Sequence, residues 1–170
     1  MKKTYKLALT SILLTLALAL SYMERFFPLQ MLIPLPGVKM GLANIVSLVA
    51  LYLLGGKYAL SILAVRSLLT SVFAGSVTSF LFSVSGGILA ILVMSLSKRV
   101  KFFSVYGVSI LGAAAHNIGQ IACAMILMNS VYIASYLTYL LIISIFTGFV
   151  VGFLSSGVIK SLLKTRMLES

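Results

Sequence analysis

The chain has 170 residues, 61% of them hydrophobic, with a mean hydropathy of +1.18. A soluble domain of this size cannot hide that much apolar surface, and apolar runs of about 20 residues recur along its length, so the solvent is lipid. Charge is lopsided, with 13 Lys+Arg against 2 Asp+Glu. The basic residues cluster in short stretches between apolar spans, which reads as membrane topology and not as nucleic-acid binding.

Transmembrane strands would alternate polar and apolar residues over roughly 10 positions. These segments are apolar all round, which predicts an all-α integral membrane bundle of about six helices, a single domain over 1–170 in the cell membrane. The first helix is predicted at 7–22. Lys2, Lys3 and Lys6 before Leu7–Leu20 have the look of a signal peptide. No convincing small-residue cleavage site leading into a soluble domain comes after them, so the segment reads as a first helix. Ser11, Thr15 and Ala19 form a small-residue stripe on one of its faces, which suits either internal packing or contact with a partner helix.

Residues 23–40 hold all three prolines, Pro28, Pro34 and Pro36. A continuous helix is excluded there, yet the stretch is mostly apolar, which predicts a re-entrant or lid loop ending at Lys39. Further helices are expected at 41–54, 58–73, 77–96, 104–128 and 131–163, the last too long for one straight span. Gly148 and Gly152 mark expected points of close packing in it. The positive-inside rule puts Lys2, Lys3, Lys6, Lys57, Lys98, Arg99, Lys101, Lys160, Lys164 and Arg166 in the cytoplasm. Both termini are then cytoplasmic, and only Arg25, Lys39 and Arg66 are left for the outer half or the membrane.

Polar side chains inside a membrane are expensive unless they face a partner, a cavity or a ligand. The fifth helix carries His116, the chain's one histidine, with Asn117 and Gln120 inside an apolar run. His116 and Gln120 share a face, with Gly112 one turn below and Gly119 beside them. Arg66, Asn44 and Lys39 are placed at similar or outer depth, so all six are candidate binding residues of one outward-facing pocket. Each has a structural alternative. Arg66 could bond backbone carbonyls or pair with Glu24, His116 could make an interhelical hydrogen bond, and Asn44 could cap the second helix. Ser85-Gly86-Gly87 could serve helix packing. As a group, these cationic and neutral donors favour an anionic or carbonyl-rich ligand.

Catalytic equipment is sparse. The acids are Glu24 and Glu169, and there is no Asp. No carboxylate pair is available for acid–base work, no Asp cluster for magnesium and diphosphate, and no phosphate-cradling Gly-x-x-x-x-Gly-Lys motif. The single Cys123 excludes an internal disulfide and a cysteine-built metal site. No cofactor or metal is expected.

Several stretches in order resemble one known family. They are Pro36-Gly37-Val38-Lys39-Met40-Gly41-Leu42-Ala43-Asn44-Ile45-Val46, Leu51-Tyr52-Leu53-Leu54-Gly55, Arg66-Ser67-Leu68-Leu69, Phe82-Ser83-Val84-Ser85-Gly86-Gly87 and Gly112–Gln120. The chain resembles the Gx transporter, or heptaprenyl diphosphate synthase component I, family over about Leu7–Leu163. That family in turn is similar to the substrate-binding S components of energy-coupling factor vitamin transporters. The resemblance implies a six-helix bundle with a cavity open to the outside, lidded by the loop after the first helix. It also implies partners, namely a membrane coupling subunit and two ATPase subunits, contacted through small residues of the first helix. The usual Ala-x-x-x-Ala there is replaced by Ser11-x-x-x-Thr15-x-x-x-Ala19.

Two functional readings follow. The first is a substrate-binding subunit that captures a small anionic or carbonyl-rich vitamin, cofactor or isoprenoid-related molecule. The second is a non-catalytic membrane component of a prenyl diphosphate synthase, since prenyl elongation resembles Asp-rich magnesium chemistry that this chain lacks. A third, a stand-alone ion-coupled carrier, has only Glu24 as a buried acid to work with.

Overall fold

A computed structural model describes residues 3–26 and 41–168, with the side chains of Arg25 and of 165–168 left out. The expected 27–40 part of the loop, with Lys39 and the prolines, lies outside the described residues. Among the described residues six α-helices follow in order: α1 (Lys3–Met23), α2 (Asn44–Leu53), α3 (Gly56–Ala74), α4 (Val77–Ser97), α5 (Val105–Leu127) and α6 (Tyr136–Leu168). Single 3-10 turns sit at Glu24–Phe26 and Val131–Ser135. All the helices but α2 are long and apolar enough to cross a membrane, and the protein is a multi-pass membrane protein.

The helix ends follow from local chemistry. Ser76 and Ser104 cap α4 and α5, accepting from the N–H groups of Ser79 and Gly107. Gly55 at φ 98° and Gly75 at φ 61° flank α3 in backbone conformations that a side chain would oppose. The expected sixth helix begins as the 3-10 turn, so α6 proper starts at Tyr136. It is one uninterrupted helix of 33 residues, about 50 Å at 1.5 Å per residue. Its excess over a hydrocarbon core of about 30 Å therefore projects past the bilayer instead of being absorbed by a break. Gly148 and Gly152 are close-packing points: a Cβ on them would lie 2.6 Å from Ile110 Cα and 3.0 Å from Tyr106 Cα. Their missing side chains let α6 lie directly on α5.

Three contacts fix which helix ends lie together. Lys6 Nζ of α1 stands 5.9 Å from the centroid of the Tyr58 ring at the start of α3. Lys98 Nζ, just past α4, donates to the Leu51 carbonyl at the end of α2 over 3.0 Å. Tyr106 at the start of α5 meets Ser156 of α6, oxygen to oxygen, at 3.3 Å. The starts of α1, α3 and α5 and the ends of α2 and α4 thus share one end of the bundle, together with the basic loops, and α6 runs down to the same end.

Helix α2 is the buried centre. Asn44 through Leu51 are all buried, and α2 packs against α1, α3, α4 and α6. With 10 residues it is only about 15 Å long, so it rises from the basic end and stops about halfway through the bilayer. Its N–H groups therefore point into hydrocarbon depth, where backbone donors must be satisfied by protein.

Candidate functional site

The N–H groups of Asn44 and Ile45 donate to the Gly41 and Leu42 carbonyls at 2.8 and 3.0 Å, and Glu24 takes the two N–H groups just before them. Its Oε1 accepts from the backbone N–H of Leu42 and, at 3.4 Å, from that of Ala43, immediately ahead of α2. A carboxylate at a helix N-terminus is favoured by both the free N–H groups and the helix dipole. Asn44 was the sequence's candidate cap, but no side-chain cap bond is made at the start of α2, and the carboxylate reaches in from the end of α1. Asn44 is buried, and its amide lies over Gly41, where an added Cβ would sit 2.9 Å from Nδ2.

Arg66 supplies the countercharge. It is only 5% exposed, its Nη1 donates to the Ser21 hydroxyl of α1 at 3.3 Å, and it is attracted electrostatically to Glu24. Nε and Nη2 are buried and have no hydrogen-bond partner among the described residues, nor does the hydroxyl of Ser67 beside them in sequence. Ser21 reaches Arg66 because it continues the buried stripe Leu13, Ala17, Ser21 of α1. Ser21 is not among the residues expected from the sequence; its place one helical turn beyond Leu13 and Ala17 is the pattern that marks it as inward-facing.

The second polar group belongs to α5. His116 and Gln120 lean on Gly86 of α4: a Cβ there would lie 2.7 Å from the His116 carbonyl oxygen and 3.0 Å from both His116 Cε1 and Gln120 Cγ. A Cβ on Gly119 would lie 2.8 Å from both Gly86 Cα and the Ser85 carbonyl oxygen, so α4 and α5 pack backbone against backbone. Gln120 is 1% exposed, and neither its Nε2 nor its Oε1 has a partner among the described residues. Asn117 points elsewhere, donating from Nδ2 to the Leu140 carbonyl of α6 over 2.9 Å. It ties α5 to α6.

The two groups meet at the diglycine. Gly86 faces His116 and Gln120, while Gly87 faces Leu63, where a Cβ would come within 2.3 Å of Leu63 Cδ1. Leu63 is one turn before Arg66 and Ser67 on α3. Depth agrees as well. Counted from the basic end of each helix, Asn44 is nine residues up, Arg66 ten, and Gly86 and His116 eleven each, or about 14–16 Å. Arg66, Asn44, Gly86 and His116 therefore form one polar layer near the middle of the bundle, built from four helices.

The small-residue stripe of α1 faces the other way. Ser11, Thr15 and Ala19 are exposed, whereas Leu13, Ala17 and Ser21 carry the internal packing. The Ser11 and Thr15 hydroxyls donate to the Leu7 and Ser11 carbonyls of their own helix at 3.1 Å, so they can face lipid without an unmet donor. Among the described residues, no group of three or more His, Cys, Asp or Glu is placed to hold a metal ion.

A family model described as heptaprenyl diphosphate synthase component I matches residues 13–158, which takes in every candidate residue above except Ser11. Comparison with curated proteins and with solved structures gave no match. The match spans α1 to α6 and most of the chain, and the protein belongs to the heptaprenyl diphosphate synthase component I family.

Proposed function

We propose that the chain is the substrate-binding membrane subunit of an energy-coupling-factor-type uptake system, taking a small anionic or carbonyl-rich molecule. The observation that carries this reading is the set of unmet donors in the mid-bundle layer. Arg66 offers two donor nitrogens, Nε and Nη2, and Gln120 a whole amide, with no partner among the described residues. Unmet polar groups at that depth cost several kcal/mol each, on the order of 2–7, and a ligand rich in oxygen acceptors would offset the cost. Because Glu24 already balances the charge of Arg66, carbonyl oxygens suit the remaining donors better than a second full negative charge. Arg66 and Gln120 would bind directly, His116 and Asn44 would shape the layer, and Asn117 would hold α5 against α6. Lys39 is proposed only on its position in the sequence.

The exposed stripe of Ser11, Thr15 and Ala19 supports a partner contact on α1. Small residues there allow another membrane helix to approach closely, as the coupling subunit of such a system would require, with two ATPase subunits supplying the energy.

The family's description favours a second reading, a non-catalytic membrane component serving a prenyl diphosphate synthase. Affinity purification from mild detergent separates the two. Co-purification of a coupling subunit and ATPases, lost in Thr15→Leu, supports the uptake system. Co-purification of a soluble, Asp-rich synthase in their place overturns it.

A further inference from the structure

A groove of about 670 Å³ runs down the outside of the bundle at its basic end, between the start of α5 and the last turns of α6. Its upper wall is apolar, made of Phe153, Leu154 and Val158, and its lower rim is polar, made of Tyr106, Ser156 and Lys160. Phe153, Leu154, Val158 and Lys160 are all exposed. Gly157 forms the floor, and a Cβ there would meet nothing within 4 Å, so the missing side chain leaves the groove open without any packing need for glycine.

The rim sits at headgroup level. The preceding loop carries the exposed Phe102 and Phe103 beside Arg99 and Lys101, a combination that suits the boundary between hydrocarbon and headgroups. The Tyr106 ring stacks on Phe149 at 5.6 Å while its hydroxyl meets that of Ser156 at 3.3 Å, and Ser156 in turn donates to the Phe153 carbonyl of its own helix at 2.9 Å, which fixes the wall of the groove where α5 meets α6. Among the described residues no carboxylate shares this end of the bundle, since Glu24 lies beyond the far end of α1. Lys160 therefore has no countercharge among the described residues and stands above an apolar channel.

We infer that this groove binds one anionic phospholipid of the surrounding leaflet, its phosphate against Lys160, its acyl chain along Phe153, Leu154 and Val158. Basic grooves between transmembrane helices are a recurring form of headgroup site. The assignment uses residues apart from the mid-bundle layer and stands whether or not that layer binds a substrate.

The test is native mass spectrometry of the full chain in detergent supplied with equal phosphatidylglycerol and phosphatidylcholine. The wild type should retain phosphatidylglycerol in preference. Lys160→Gln should reduce that preference by about fivefold, the equivalent of the ~1 kcal/mol that one lysine contributes beside an anionic surface. Gly157→Leu, which fills the floor and leaves every charge in place, should lower retention of both lipids. Lys57→Gln, at the same end but outside the groove, should change neither. Equal retention of the two lipids by the wild type overturns the assignment. So does an effect of Lys57→Gln as large as that of Lys160→Gln, or unchanged retention in Gly157→Leu.

Discussion

Arg66 of α3 donates from Nη1 to the hydroxyl of Ser21 on α1 over 3.3 Å. That contact aligns the guanidinium beside Glu24, whose carboxylate already holds the N–H groups of Leu42 and Ala43. Three helices, α1, α2 and α3, are thereby joined through the end of α1 and the start of α2.

Glu24 and Arg66, which attract each other electrostatically, are not equivalent. Glu24→Gln leaves a buried arginine without its countercharge and weakens the acceptor at the start of α2. It should lower stability by about 3–5 kcal/mol, the range for breaking a buried pair from one side. Arg66→Met leaves the Glu24 carboxylate with two backbone N–H partners and removes two unmet donors, so its loss should be smaller. Thermal unfolding of the two variants in detergent checks the order. Equal losses would mean that the bonds from Leu42 and Ala43 to the carboxylate add nothing beyond its attraction to Arg66.

The diglycine should tolerate nothing larger on its α5 side. Gly86→Ala puts a methyl 2.7 Å from the His116 carbonyl oxygen, a backbone atom that can yield only if α4 and α5 part. A loss of about 1–3 kcal/mol is expected for overpacking. Gly157→Ala meets open space and should be neutral or slightly stabilising, since alanine is the better helix former. Parallel melting curves of the two variants give the comparison.

Asn117→Leu removes the donor to the Leu140 carbonyl. The interhelical bond should be worth about 0.6 kcal/mol, with an upper value near 1.7. The variant should unfold at modestly lower temperature and keep its ligand, because this side chain faces α6 and not the diglycine. Loss of ligand with unchanged stability would move Asn117 into the site.

Lys98 ties the end of α4 to the end of α2, donating to the Leu51 carbonyl with its ammonium 4.5 Å from the centre of the Tyr52 ring. Partial burial pushes its pKa below the ordinary lysine value. Between the folded and unfolded values the unfolded chain binds more protons, so this group makes stability rise with pH across that window. The window ends at the ordinary lysine range of about 10.4. Comparing the stability of the wild type and Lys98→Met from neutral to alkaline pH should show the wild type gaining relative to the variant toward that range. At neutral pH, where both states are protonated, no such slope is expected.

Much of this architecture was legible in the chain. Apolar runs and the basic clusters placed six helices to within a few residues, because lipid leaves the backbone few alternatives. The polar residues of the fifth helix and Arg66 were visible as exceptions to an apolar background. What could not be read was their direction. His116, Asn117 and Gln120 lie within two turns, yet Asn117 turns to α6 and the others to Gly86, a split set by helix rotation that spacing alone leaves open. Ser21 looked like an ordinary helical serine until α3 placed an arginine against it. Glu24 was legible as a partner for Arg66 but not as the cap of α2, since that requires knowing that α2 stops halfway through the bilayer.

The central claim is that the unmet donors of Arg66 and Gln120 hold a small oxygen-rich molecule. Native mass spectrometry of gently purified wild type and Arg66→Met, each first shown to be folded by its melting curve, tests it most directly. The account predicts a bound mass other than a phospholipid on the wild type that is missing from Arg66→Met. A wild type that arrives without such a mass, or a variant that keeps the same one, would contradict it.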